Sequence, residues 1–117
     1  MQLQLSPRLV DGVLVMDCSG RLVSGEELLF FRSFMRELLL DTKAVVLNLE
    51  AVTYMDSGGL SGLVGAYTSA RMRDGHLKLG GVAPVIRDLL RLTKLLGVLE
   101  VYDTVDEAVK DFHKAVA

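Results

Sequence analysis

The residues able to make or break bonds are few in this 117-residue chain, which has two histidines, one cysteine and no tryptophan. Ser57 is the hydroxyl in the most suggestive setting, the run Asp56-Ser57-Gly58-Gly59. A nucleophilic serine at a strand-to-helix turn would need a Gly-x-Ser-x-Gly elbow and a histidine base. The elbow is absent here, and His76 and His113 read as ordinary, partly exposed histidines at a strand start and near a helix end. Two histidines and Cys18 without ligand-like spacing give no metal site. A phosphate-binding Gly-x-x-x-x-Gly-Lys-Ser/Thr loop is missing, and Gly58-Gly59 followed by Gly62 and Gly65 lacks a dinucleotide fingerprint with its ribose-binding acid. Neither catalysis nor a cofactor is expected. The plain chemistry of an Asp-Ser pair before a helix is capping of unpaired backbone N–H groups.

Composition narrows the field in the same direction. Half of the residues are hydrophobic and 24% are charged, with a formal net charge of −2. That composition suits one globular domain, expected to span residues 1–117, able to bury roughly two-thirds of its unfolded surface. Lysines and arginines are interspersed with acids and form no basic stripe, so nucleic-acid binding is not expected. The N-terminal run Met1-Gln2-Leu3-Gln4-Leu5-Ser6-Pro7 lacks a basic region followed by an apolar one, so no signal peptide is expected. Apolar runs such as Val45-Val46-Leu47 fall far short of the roughly 20 residues that span a bilayer. One cysteine excludes an internal disulfide and fits a reducing compartment, so a cytoplasmic protein is expected, with Cys18 as a buried small hydrophobe.

The elements that must position Ser57 follow from periodicity. Leu3 to Leu9 reads as a strand, Asp11-Gly12 as a turn, and Val13 to Cys18 as a second strand ended by Gly20. From Glu26 the period becomes helical, with Leu28, Phe31, Met35, Leu38 and Leu39 on one face. Ser24 would cap this helix, with Glu27 completing a capping box. Phe30 and Phe31 cannot share one narrow face, so one of them is expected to be partly exposed. Ala44 to Leu49 is apolar enough to be covered on both faces of a sheet.

A second helix should begin near Gly58, with Leu60, Leu63, Val64 and Tyr67 as its stripe and Gly62, Gly65 and Ala66 on a small side. Interior glycines cost a helix about 1 kcal/mol each relative to alanine, so close approach to a neighbouring helix is expected. His76 to Gly80 reads as a strand. Pro84 opens a third helix carrying Val85, Ile86, Leu89 and Leu90 inward. Val98 to Tyr102 is a short last strand, and a final helix starts at about Val105, capped by Asp103 or Thr104. The order ββαβαβαβα predicts an α/β fold: a mixed sheet of four to five strands with helices mainly on one face.

The stretch from Asn48 to Leu60 resembles the signature of the STAS family, the domain shared by anti-sigma factor antagonists and the cytoplasmic ends of sulfate transporters. That signature is a strand, an aromatic-Met/Ile-Asp-Ser-Ser/Thr-Gly-Leu loop and a glycine-bearing helix. Tyr54, Met55, Asp56, Ser57, Gly59 and Leu60 match it in register. Asp74-Gly75, Leu77-Lys78-Leu79, Ala83-Pro84-Val85, Leu96 to Leu99 and Asp106-Glu107-Ala108 are similar to later pieces of the family, so the likeness spans residues 10–113.

The resemblance implies a non-enzymatic anti-sigma factor antagonist. Its partner would be an anti-sigma factor of the GHKL serine kinase type, with a PP2C-type phosphatase to reverse the modification. In phosphorylatable members the serine after the aspartate is the acceptor, here Ser57. A helix N-terminus stabilises a phosphate, while the added charge can break an interface by repulsion and desolvation. Partner contacts implied by the resemblance are Tyr54, Met55, Asp56, Gly58, Gly59 and Leu60, with Arg21 and Ser24 from the neighbouring loop.

The chain departs from the family pattern at two places. Gly58 stands where most phosphorylatable members carry a second Ser or Thr, which removes a hydroxyl and loosens the loop. Gly20 is followed by Arg21-Leu22-Val23 rather than by an acidic pair. These motivate an alternative: a constitutive interaction or scaffold module of the same fold, in a signalling assembly or beside a transporter, with Ser57 only a helix cap.

Overall fold

Asp11 and Gly12 both take positive φ, 49° and 80°, and this turns the chain in a two-residue hairpin of the kind whose twist matches paired strands. The hairpin joins β1 (Leu3–Val10) to β2 (Val13–Leu22), antiparallel, in register from Leu3 opposite Gly20 to Val10 opposite Val13. The computed structural model describes residues 1–114. The chain continues through α1 (Glu26–Asp41), β3 (Ala44–Met55), α2 (Ser57–Met72), β4 (His76–Gly80), α3 (Pro84–Leu92), β5 (Val101–Tyr102) and α4 (Val105–Lys114). The five strands lie side by side in chain order, and every pairing after the hairpin is parallel. This is the expected mixed sheet.

Strand parity distributes the core. Met16, Cys18, Val45, Leu47, Leu49, Leu77 and Leu79 face α1, α2 and α3 in one large cluster. Val13, Val15 and Val46 face the other way, onto Ala108 and Val109 of α4. Three helices therefore cover one face and one covers the other, which explains the near-continuous apolar run of β3. Phe31 is buried while Phe30 is half-buried, meeting Phe34 edge to face at 5.9 Å. Cys18 is buried and its thiol is pushed up to about 12, first by desolvation and then by Asp17. Thr104, not Asp103, supplies the cap of α4: its hydroxyl accepts the Glu107 N–H at 3.1 Å.

The α4 face also holds polar groups. Asp17 accepts Arg8 Nε at 2.7 Å and Asn48 Nδ2 at 2.9 Å. Lys78 is buried, donating to Asp111 at 2.9 Å and to the Tyr102 hydroxyl at 3.1 Å, with Glu100 at 3.4 Å. Desolvation works against its charge, yet these partners outweigh it and its pKa is raised.

Four elements differ from the sequence-based reading. Gly20 does not end β2; it lies inside the strand with φ 101°, where the β2–β3 register shifts. A Cβ there would run into the Gln2 carbonyl, whose oxygen accepts the Arg21 N–H at 2.7 Å. The third strand runs on from Leu49 to Met55. The last strand is only Val101–Tyr102, because Leu95 to Leu99 form a turn, with Leu99 N–H donating to Leu95 O at 2.9 Å. Val85 points outward, 53% exposed, while Ile86 and Leu90 form the inner face of α3.

Candidate functional site

The bulged end of β2 and the long β3 terminate together: Arg21 pairs with Tyr54 and Leu22 with Met55. Both chains then enter helices, so the starts of α1 and α2 lie side by side at the carboxyl end of the parallel strands. Asp56 joins them. It is the N-cap of α2, in extended conformation, and its carboxylate accepts the Gly59 N–H at 2.9 Å. The same carboxylate accepts the Ser24 N–H on both oxygens, at 3.1 and 3.0 Å. These bonds, from Ser24 first and Gly59 second, hold the Asp56 carboxyl below the usual carboxylate range.

Ser24 therefore does not cap α1. Gly25 takes the cap position with φ 102° and makes no side-chain cap bond. Glu27 instead accepts the Gln2 N–H at 2.9 Å, which ties the N-terminal segment to α1. A capping box needs Ser24 and Glu27 to serve each other, and each is engaged by a distant part of the chain.

With Asp56 as the cap, Ser57 becomes the first residue of α2 and its side chain is exposed. The hydroxyl is not consumed in holding the helix. Gly58 lies in the first helical turn rather than in a loop, and a Cβ on it would overlap the Ser24 hydroxyl. A serine from the β2–α1 connection thus fills the volume that a side chain at 58 would take. Beneath, Gly59 is buried: a Cβ there would meet the Leu22 carbonyl and lie 2.8 Å from Met55 Cγ.

The residues singled out from the sequence fall into two groups. Arg21, Ser24, Tyr54 and Ser57 are exposed, with Asp56, Gly58 and Leu60 half-buried, and together they form one surface. Arg21 lies over the Tyr54 ring, 5.4 Å from its centroid. Met55 and Gly59, both expected among the partner contacts, are buried and support this surface from below. Nothing local in the sequence couples Ser24 to Asp56, which lie 32 apart in the chain.

Neither histidine is at the site. His76 pairs with Ala44 at the opposite end of the 12-residue β3, and His113 sits on α4 across the sheet. Among the described residues no three His, Cys, Asp or Glu side chains gather as a metal would require. No helix among them is long and apolar enough to cross a membrane.

Comparison with known proteins gives these matches. The profile of the STAS domain family matches residues 4–108. An anti-sigma F factor antagonist of Paenibacillus polymyxa is 28% identical over 110 residues, covering 88% of this chain and 89% of that protein. An anti-sigma factor antagonist from Mycobacterium paratuberculosis superposes with a TM-score of 0.77 at 25% identity, covering 93% of this chain and 92% of that one. SpoIIAA, an anti-sigma factor antagonist, superposes in its unphosphorylated form with a TM-score of 0.69 at 18% identity, covering 96% and 97%. The phosphorylated form of the same Bacillus protein also superposes, with a TM-score of 0.69 at 19% identity, covering 94% and 98%.

Proposed function

This chain belongs to the STAS domain family, and from that premise we propose that it is an anti-sigma factor antagonist switched by phosphorylation of Ser57. The unmodified protein captures an anti-sigma factor that is also a GHKL-type serine kinase. The phosphoprotein lets it go until a PP2C-type phosphatase restores the hydroxyl. The observation that carries this reading is the division of labour at the start of α2. Asp56 caps the helix, leaving the Ser57 hydroxyl exposed and free for chemistry. A Ser57 engaged as the cap would have favoured the constitutive module instead.

The electrostatics favour release without a large rearrangement. A phosphate on Ser57 brings about −1.5 to −2 charges next to Asp56, a carboxylate already held in its charged form by backbone donors. The helix dipole tolerates that charge locally, but a partner packed over Tyr54, Leu60 and Arg21 has to desolvate it. The relatives and neighbours named as anti-sigma factor antagonists, and the existence of SpoIIAA in both phosphorylation states, support the same reading.

The test is to mix the protein with GHKL-type anti-sigma kinases of its own genome, add ATP, and measure intact mass and peptide masses. One phosphate, on Ser57, is expected, with none on Ser57→Ala and weakened complex formation for Ser57→Asp. A Ser57→Asp protein that binds its kinase as tightly as wild type overturns the switch.

A further inference from the structure

Along the seam between α1 and α2 the helices touch closely at one end and part at the other. At Gly62 an added Cβ would lie 2.8 Å from Leu28 and 3.4 Å from Phe31 of α1. One turn further on, a Cβ at Gly65 would meet nothing within 4 Å. The gap is a groove of about 370 Å³, within the size range of small-molecule sites. Its floor is Phe31, Met35 and Leu39, each buried, and α2 contributes a wall that includes Gly65.

Three arginines line this groove, Arg32, Arg36 and Arg73, and no Asp or Glu does. Their situation differs from that of the protein's other arginines. Arg8, Arg87 and Arg91 are paired with Asp17, Asp103 and Asp88, and Arg21 and Arg71 stack on tyrosines. Among the described residues, Arg32, Arg36 and Arg73 have no carboxylate within ion-pair distance; Arg32 reaches only the Ser61 hydroxyl, at 3.3 Å. In a chain of net charge −2, the three arginines without an acidic or aromatic partner thus all line one concave, apolar-floored groove. Guanidinium groups are the donors best shaped for carboxylate or phosphate oxygens, and Arg32 and Arg36 stand one helical turn apart on the same face.

We propose that this groove binds a small organic anion, with a carboxylate or phosphate head on Arg36 and its arginine neighbours and an apolar body over Phe31, Met35 and Leu39. The site lies about two helical turns from Ser57 along α2 and is separate from the partner surface.

The experiment is an amide chemical-shift titration of the labelled protein with octanoate, octyl phosphate, inorganic phosphate and octanol, below the concentrations at which the amphiphiles aggregate. Saturable shifts centred on Gly65, Ala66 and Ser69 are expected with octanoate, octyl phosphate or both, and the tighter of the two identifies the head group. Octanol and inorganic phosphate, each carrying half of the recognition, should bind far more weakly. Arg36→Gln and Arg73→Gln should each weaken binding at least about tenfold, the loss expected on deleting a charge-assisted hydrogen bond. Gly65→Leu fills the groove from a position with open space, so it should abolish binding while keeping or raising the melting temperature and leaving kinase binding intact. Absence of saturable shifts, equal binding of octanol, or unaltered binding in Arg36→Gln and Gly65→Leu overturns the proposal.

Discussion

Gly58 and Gly59 are neighbours of the same type that answer to different surroundings. The space beside Gly58 is taken by the hydroxyl of Ser24, an exposed side chain that can turn aside. The space beside Gly59 is taken by the Leu22 carbonyl, which is fixed in the β2–β3 ladder, and by Met55. Gly58→Ala is therefore expected to melt close to wild type, while Gly59→Ala should lose about 1–3 kcal/mol, the usual range for overpacking. Thermal or denaturant unfolding of the two variants checks this, and equal losses would contradict it. The serine, the aspartate and the glycines were all visible in the sequence, because their spacing is local. Which of Asp56 and Ser57 caps α2 was not, nor was the filling of Gly58 by Ser24, because both depend on a segment that arrives from across the sheet. For the same reason the local sequence around Ser24 points to a cap for its own helix, while the Ser24 N–H in fact serves Asp56.

At the scale of elements, the most legible features carry their own punctuation. The Asp11-Gly12 turn, the start of α3 at Pro84 and the strand His76–Gly80 stand where local chemistry puts them. The end of β2 did not, because a glycine reads as a stop, whereas Gly20 serves as a bulge. Its positive φ and missing side chain let the Gln2 carbonyl approach and shift the register, which brings Arg21 opposite Tyr54. Gly20→Ala should accordingly destabilise by more than the roughly 1 kcal/mol of an ordinary strained glycine site, since its Cβ meets backbone that cannot step aside. The check is a denaturant midpoint, joined to the Arg21 amide resonance as a probe of register; an unchanged midpoint would mean the bulge is not required. The apolar run before Tyr102 misled in a different way. Within the expected Val98–Tyr102 strand, Leu99 is apolar because it packs in a turn against the main core, beside Leu95 and Leu96, not because it lies in the sheet.

Over the whole molecule, titratable groups set a pH window for stability. Asp17 is held low by the Arg8 hydrogen bond, Asp56 by the Ser24 N–H, Asp111 by the Tyr102 hydroxyl and Glu27 by the Gln2 N–H. A carboxyl with a depressed folded pKa binds fewer protons folded than unfolded. Its contribution is present above the unfolded value of about 4 and is lost as pH falls through the folded one. Cys18, raised to about 12, works at the other end: its contribution is present below the unfolded thiol value of about 8.5 and is lost as pH rises toward the folded one. The melting temperature should be flat between about pH 5 and 8 and fall on both sides, and Cys18→Ala should flatten the alkaline limb. A melting temperature constant down to pH 3 would contradict the acid limb. The five strands lie side by side in the order in which they occur along the chain. A ribosome releasing this protein from its N-terminus has therefore delivered every group of the Ser57 surface, from the end of β2 and the connection after it to the end of β3 and the first turn of α2, before β4, α3 and α4 have been synthesised. The Ser57 surface is thus made by the early part of the chain, and the later elements pack against the sheet behind it.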